Sequence, residues 1–126
     1  MTTSFNHIAL EYKNKKDAHI FFSTILGIPH TRGFIVSAEL SKEIFGREKT
    51  VEVDVFDNGE ICFEIFYTDD IKHSSFSHTC INVNSKEKFV DNCKKYKLRP
   101  YTVVKGEKEL LFVRDFSQNI YEIKDK

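Results

Sequence analysis

The chain has 126 residues, enough for one domain or for two very small modules sharing a core. Lys plus Arg and Asp plus Glu balance at 19 each, so no basic surface argues for a nucleic-acid partner. No apolar run approaches the roughly 20 residues of a transmembrane helix, and the opening residues lack the basic start and apolar stretch of a signal peptide. A cytoplasmic protein without a membrane partner is therefore expected. The three Cys, odd in number and without CxxC spacing, suit reduced and mostly buried thiols rather than disulfides or a thiolate zinc site. The 12 Phe supply the large core side chains that the absent Trp would otherwise provide.

Phe5 to Tyr12 alternates, with Phe5, His7, Ala9 and Glu11 on one face and Asn6, Ile8, Leu10 and Tyr12 on the other, which predicts a strand. Lys15 to Leu26 predicts a helix whose stripe is Ala18, Phe21, Phe22, Ile25 and Leu26. Asn14 is its expected N-cap, Gly27 its left-handed end, and Pro29 lies where a helix does not continue. The lysines at 13, 15 and 16, and those at 94, 95 and 97, read as solvated helix faces. From His30 to Glu48 the pattern is weak. Thr31 to Val36 reads as a short strand, and Ala38 to Phe45 as a short helix or a loop closed by Gly46. Lys49 to Phe56 alternates again and Glu60 to Tyr67 returns, joined by Asp57-Asn58-Gly59, a hairpin signal.

Thr68 to Ser75 is polar and reads as a linker. Phe76 to Val83 then resumes the opening pattern as a strand. Ser85 caps a predicted helix to about Leu98, with Phe89, Cys93 and Tyr96 on one stripe. Tyr101 to Val104 and Glu109 to Arg114 are predicted strands around a Lys105-Gly106-Glu107 turn. Asp115 to Gln118 turns the chain into a last strand, Asn119 to Lys124. The order strand, helix, strand, strand, strand thus occurs twice. The expected fold is α+β, two tandem βαβββ modules. They would make one domain over 1–126: module one about 4–67, linker 68–75, module two about 76–126.

Each module carries a His in its first strand and a Glu in its last. These are His7 and Glu64, then His78 and Glu122, separated by 57 and 44 residues. The difference matches the extra residues between Val36 and Glu48. Such a side chain inside an apolar strand costs free energy unless it is solvated, hydrogen-bonded or bound to a cation. Two imidazoles and two carboxylates neutralise a divalent ion. Mixed nitrogen and oxygen donors suit Ni, Zn, Co, Mn or Fe rather than calcium. On a six-coordinate ion, four ligands leave two positions open. The other histidines, His19 on the polar side of its helix, His30 after Pro29 and His73 in the linker, are expected to have no such role.

The sequence resembles the vicinal oxygen chelate superfamily, which includes glyoxalase I and bleomycin-resistance proteins. The likeness rests on Asn6-His7-Ile8-Ala9-Leu10, Ala18 to Gly27, Phe63-Glu64-Ile65, Ser77 to Val83 and Phe112 to Ile123. It implies paired βαβββ modules forming a curled mixed sheet around a metal site and places the glyoxalase I metal ligands on His7, Glu64, His78 and Glu122. Glutathione-dependent relatives have Arg where this chain has Glu11, and Asn where it has Thr68. The usual Asp-Pro-Asp-Gly turn is here Asp115-Phe116-Ser117-Gln118-Asn119. Methylmalonyl-CoA epimerases generally have Gln at the position of Glu64, and fosfomycin-resistance and extradiol dioxygenase relatives use three ligands, so the quartet points to glyoxalase I.

The resemblance implies a lyase or isomerase that removes a proton from a small oxygen-chelating substrate, such as a 2-oxoaldehyde thiol adduct, through a metal-stabilised enediolate. Glu122 is the first choice of base and Glu64 the second. A sequestering or resistance-type protein of the same fold, or a related epimerase, is the alternative. A homodimer is expected, because one pair of modules leaves a sheet edge open.

Overall fold

The computed structural model describes residues 2–71 and 76–126. They fall into two compact units, one within Met1–Ile71 and the other within Lys72–Lys126.

The first unit runs β1 (Ile8–Tyr12), α1 (Lys15–Ala18, continuing as a π-helix over His19–Ile25), β2 (His30–Val36), α2 (Ala38–Phe45), β3 (Val51–Asp57) and β4 (Cys62–Tyr67). Its strands form a four-stranded sheet in the order β1-β4-β3-β2, with β1 parallel to β4 and the other pairs antiparallel. One face of this sheet is covered by α1. There Phe22 lies against Tyr12, Phe56 and Phe63, with ring centroids 5.0–5.6 Å apart. Ala18, Phe21, Phe22, Ile25, Phe56, Phe63 and Ile65 are buried, so the predicted helix stripe is the core stripe. The opposite face carries Ala9, Glu11, Val53, Val55, Glu64 and Phe66, as the strand registers dictate.

The second unit runs β5 (His78–Val83), α3 (Lys86–Lys95), β6 (Tyr101–Lys105), β7 (Lys108–Arg114) and β8 (Ile120–Asp125). Its sheet order is β5-β8-β7-β6, with β5 parallel to β8 and the rest antiparallel, the same topology as the first. The Ser85 side chain caps α3 by accepting from the Lys88 amide, and Asp125 accepts from the Lys86 amide, so the helix start is pinned to the end of β8. Phe89 and Cys93 are buried, as are Ile81, Leu111, Val113, Tyr121 and Ile123. The tandem βαβββ arrangement read from the sequence is therefore present, as two four-stranded mixed sheets.

Several boundaries differ from the sequence reading. β1 begins at Ile8, so His7 stands just before the strand instead of within it. The expected single α-helix changes to π geometry at His19, with the Leu26 amide bonding the Phe21 carbonyl. The change is one of backbone hydrogen-bond register, which apolar side-chain spacing does not report directly. The open choice at Ala38–Phe45 resolves as a helix, capped by the Ser37 side chain and closed by Gly46 at φ +72°. This helix is the insertion: fourteen residues separate β2 from β3, and two separate β6 from β7.

Asn58-Gly59 does not make a two-residue hairpin. Gly59 has φ +88° and Asn58 does not share it. Instead the Asn58 side-chain oxygen accepts from the Glu60 and Ile61 amides, which builds a four-residue loop. Of the linker reading, Thr68 belongs to the first unit: it is buried and its amide bonds the Tyr12 carbonyl. Residues 72–75, with His73, lie outside the described residues. The thiols are free, but only Cys93 is buried, and burial pushes it up to about 12; Cys62 is partly covered and Cys80 is exposed.

Candidate metal centre

In the first unit, the parallel register pairs Ala9 with Glu64. His7, two residues earlier, is on the same face as Ala9, and its Nε2 lies 3.4 Å from Glu64 Oε1. In the second unit, Cys80 pairs with Glu122, and His78 is again two residues earlier on the same face. The two units thus set a His and a Glu in one identical register relation, with different neighbours and different sequence separations.

The imidazoles are prepared in the same way. His7 Nδ1 donates to Asn6 Oδ1 at 2.8 Å, and His78 Nδ1 donates to the Phe76 carbonyl at 2.9 Å. A carbonyl oxygen only accepts, so the proton sits on Nδ1 and Nε2 keeps its lone pair, the arrangement of an oriented metal-binding histidine. The carboxylates match as well. Glu64 and Glu122 side chains are 16% and 18% exposed, each mid-way along the last strand of its unit. The His7–Glu64 separation is about that of two ligands each roughly 2.1 Å from one ion. The donor set of each unit, and in the first unit its spacing, therefore fit a divalent cation.

A pocket of about 180 Å³ opens on the Glu64 face of the first sheet. Ala9, Glu11, Phe66 and Thr68 form its floor, and Ser41, Phe45, Arg47 and Lys49 its wall. Phe45 meets Phe66 edge-on at 5.6 Å. Arg47 donates to Glu11 at 2.9 Å and to Asp70 at 2.8 Å, and Lys49 donates to the Thr68 hydroxyl at 3.1 Å. Both positions that depart from the glutathione-dependent pattern, Glu11 and Thr68, are thus engaged with cations of this chain. Ser41 is buried, and its hydroxyl finds no hydrogen-bond partner among the described residues. The weak pattern of 30–48 conceals this wall, because α2 is short and its outward residues are apolar: Leu40, Ile44 and Phe45 are all exposed.

A second constellation was not anticipated from the sequence. His30 begins β2 instead of lying in a turn, and the π-helix starts at His19. Both rings reach Asp54 of β3: His30 Nε2 at 2.9 Å from Oδ1 and His19 Nε2 at 3.5 Å from Oδ2. Tyr67 donates to Oδ2 at 2.7 Å. Burial favours protonation of Asp54, but the bonds from Tyr67 and His30 outweigh it and hold the carboxyl below its usual value. Along β3, Val53, Asp54, Val55 and Phe56 are all buried, so both faces of the strand are covered there, while Glu52 is exposed.

The fold has close structural counterparts. A fosfomycin resistance protein, FosX, from Listeria monocytogenes aligns over 100% of this chain and 95% of its own, with 12% identity and a TM-score of 0.74. The chain has the vicinal oxygen chelate fold. FosX from Mesorhizobium loti shares this fold at 11% identity and a TM-score of 0.72, covering 100% of this chain and 94% of its own. A glyoxalase family protein from Enterococcus faecalis shares it at 18% identity and a TM-score of 0.71, covering 95% of each chain. A variant of the Listeria protein was solved with Mn(II) and 1S,2S-dihydroxypropylphosphonic acid. No family model and no curated protein matches the sequence. Among the described residues of this vicinal oxygen chelate fold, no helix is long and apolar enough to cross a membrane.

Proposed function

We propose that the two units act as one metal-dependent lyase or isomerase domain of glyoxalase I type, with His7, Glu64, His78 and Glu122 binding a single divalent ion (Ni, Zn, Co, Mn or Fe). The observation that carries this reading is the repeated register, His two residues before the partner of Glu, with Nδ1 bonded to an accepting oxygen in both units. The substrate class is a small molecule with two adjacent oxygens, such as a 2-oxoaldehyde thiol adduct. When bound, the ion supplies charge stabilisation to those oxygens as the neighbouring C–H loses its proton.

The chain's own residues do the rest. Glu122 takes the proton on a carboxylate oxygen and returns it to the adjacent carbon; Glu64 is the second choice. The pocket beside Glu64 receives the substrate's remaining groups, with Phe45 and Phe66 excluding water and Ser41 and Arg47 offering hydrogen bonds. Arg47 already holds Glu11. A thiol carrier other than glutathione fits better than glutathione, because Glu11 presents a carboxylate where glutathione-dependent relatives present Arg. A cytoplasmic homodimer is part of the reading. Edge strand β6 is exposed along its whole length, with Val103 and Val104 outward, and pairing would cover it.

A resistance-type protein is the second reading, favoured by the FosX neighbours and by the vicinal diol in the Mn(II) complex of one of them. Metal analysis followed by a screen of 2-oxoaldehyde hemithioacetals with several thiols separates the two. Isomerase turnover supports the first. Bound metal with turnover of none of these adducts, but with binding of a phosphonate, replaces it with the second.

A further inference from the structure

We infer that His19, His30 and Asp54 form a second divalent-cation site, of zinc type, on the face of the first sheet opposite Glu64. Asp54 pairs with Ile65 in the β3–β4 register, and side chains alternate along β4, so Asp54 and Glu64 point to opposite faces. The site shares no residue with the quartet and stands independently of the proposed function.

The donors are two imidazole nitrogens and one carboxylate, a set that suits zinc with a fourth, open position. The three ligand atoms lie within 4.8 Å of one another. The two His–Asp separations, 2.9 and 3.5 Å, bracket the spacing of ligands about 2.1 Å from one ion. Access is one-sided. Asp54 is 5% exposed at its side chain, while His19 and His30 are 42% and 36% exposed, leaving the solvent side for the ion's entry and for water. Beneath them Phe56 provides an apolar floor, its centroid 5.1 Å from His19 and 5.5 Å from His30.

Four local irregularities converge on this spot. The helix changes to π geometry at His19, a departure often associated with functional sites. The register shifts between His30 and Arg32, which re-aims His30. Gly33 lacks a side chain where a Cβ would stand 3.0 Å from Asp54 Oδ1. Tyr67 fixes the carboxylate from behind, the part played by partners that orient metal ligands. Lys15, paired with Glu52, also bears electrostatically on Asp54. In the metal-free protein His30 donates its Nε2 proton to Asp54, and a cation at Nε2 takes the tautomer that carries the proton on Nδ1.

The test uses the full chain with His78→Ala and Glu122→Ala, which disable the quartet in the other unit. After chelator treatment, zinc is titrated calorimetrically. One equivalent is expected to bind. In that background His30→Gln or His19→Gln lowers the affinity at least tenfold, Asp54→Asn abolishes binding, and Tyr67→Phe weakens it about 10–100-fold. The two histidines are half-exposed, so their Gln variants carry the test even where Asp54→Asn does not fold, and circular dichroism checks each variant. A chain that binds no zinc once the quartet is disabled overturns the inference. So does zinc binding that His19→Gln and His30→Gln leave unchanged.

Discussion

At the scale of single residues, the two halves answer one question in the same words. His7 and His78 each spend Nδ1 on an oxygen that only accepts, and so each keeps Nε2 for a cation. Glu64 and Glu122 have nearly the same part-buried setting, and Lys124 lies 3.9 Å from Glu122. On the proposed mechanism Glu122 serves proton transfer and not the fold. Glu122→Gln is expected to leave circular dichroism unchanged and to lower turnover of the hemithioacetal substrate about 10²–10⁴-fold; an unaltered rate removes Glu122 from that role. The pocket gives a second residue test. Ser41 is buried with its hydroxyl toward a site that has no protein partner for it among the described residues. Ser41→Ala is expected to keep or slightly raise thermal stability while raising KM more than it lowers kcat. A loss of stability with unchanged KM would place the hydroxyl in the fold instead.

At the scale of elements, the loop between β7 and β8 shows how turn chemistry survives a change of residues. Asp115 is buried and accepts from the Ser117 and Asn119 amides, the Asn119 side chain and the Tyr121 hydroxyl. Gln118 takes the left-handed conformation, φ 70°, that a glycine would take more cheaply. Asp115→Ala strands these donors and is expected to cost about 2–4 kcal/mol in urea unfolding. Burial raises the Asp115 carboxyl to about 6, against the hydrogen bonds that lower it. A raised folded value means that the folded state holds the proton more tightly than the unfolded chain. The stability Asp115 contributes is therefore full below about pH 4 and declines as the pH rises to about 6 and through it, by about 3 kcal/mol. The stability difference between wild type and Asp115→Asn, followed across that range, is expected to fall with rising pH; a rise contradicts the assignment. On the first sheet, Gly33→Ala brings a methyl to 3.0 Å from Asp54 Oδ1 and 3.4 Å from the Val53 carbonyl. About 1–3 kcal/mol of destabilisation is expected.

At the scale of the whole molecule, the repeat was legible because strands announce themselves through alternation and each last strand carries one Glu among apolar residues. Both sheets, all eight strands among the described residues and the caps at Asn14 and Ser85 follow from local chemistry, although the sequence alone did not decide whether Ala38–Phe45 was helical. What was not legible depends on contacts far apart in the chain. His19, His30 and Asp54 meet only after a helix packs on a sheet, and no spacing between residues 19, 30 and 54 encodes that meeting. The Arg47 bridge to Glu11 and Asp70 is hidden for the same reason. The vicinal oxygen chelate fold persists at 11–18% identity to the solved structures named above, because its core asks only for apolar faces at the right period. The proposed metal ligands are set by a register, so they can be read where overall similarity has faded.

The most direct test of the central claim is metal stoichiometry in a chain carrying His30→Gln, which removes the second candidate site. The account predicts one divalent ion per chain, lost alike on Glu64→Gln in the first unit or on His78→Ala in the second, with the fold retained. Metal binding that survives either substitution unchanged would contradict a single centre built from both halves.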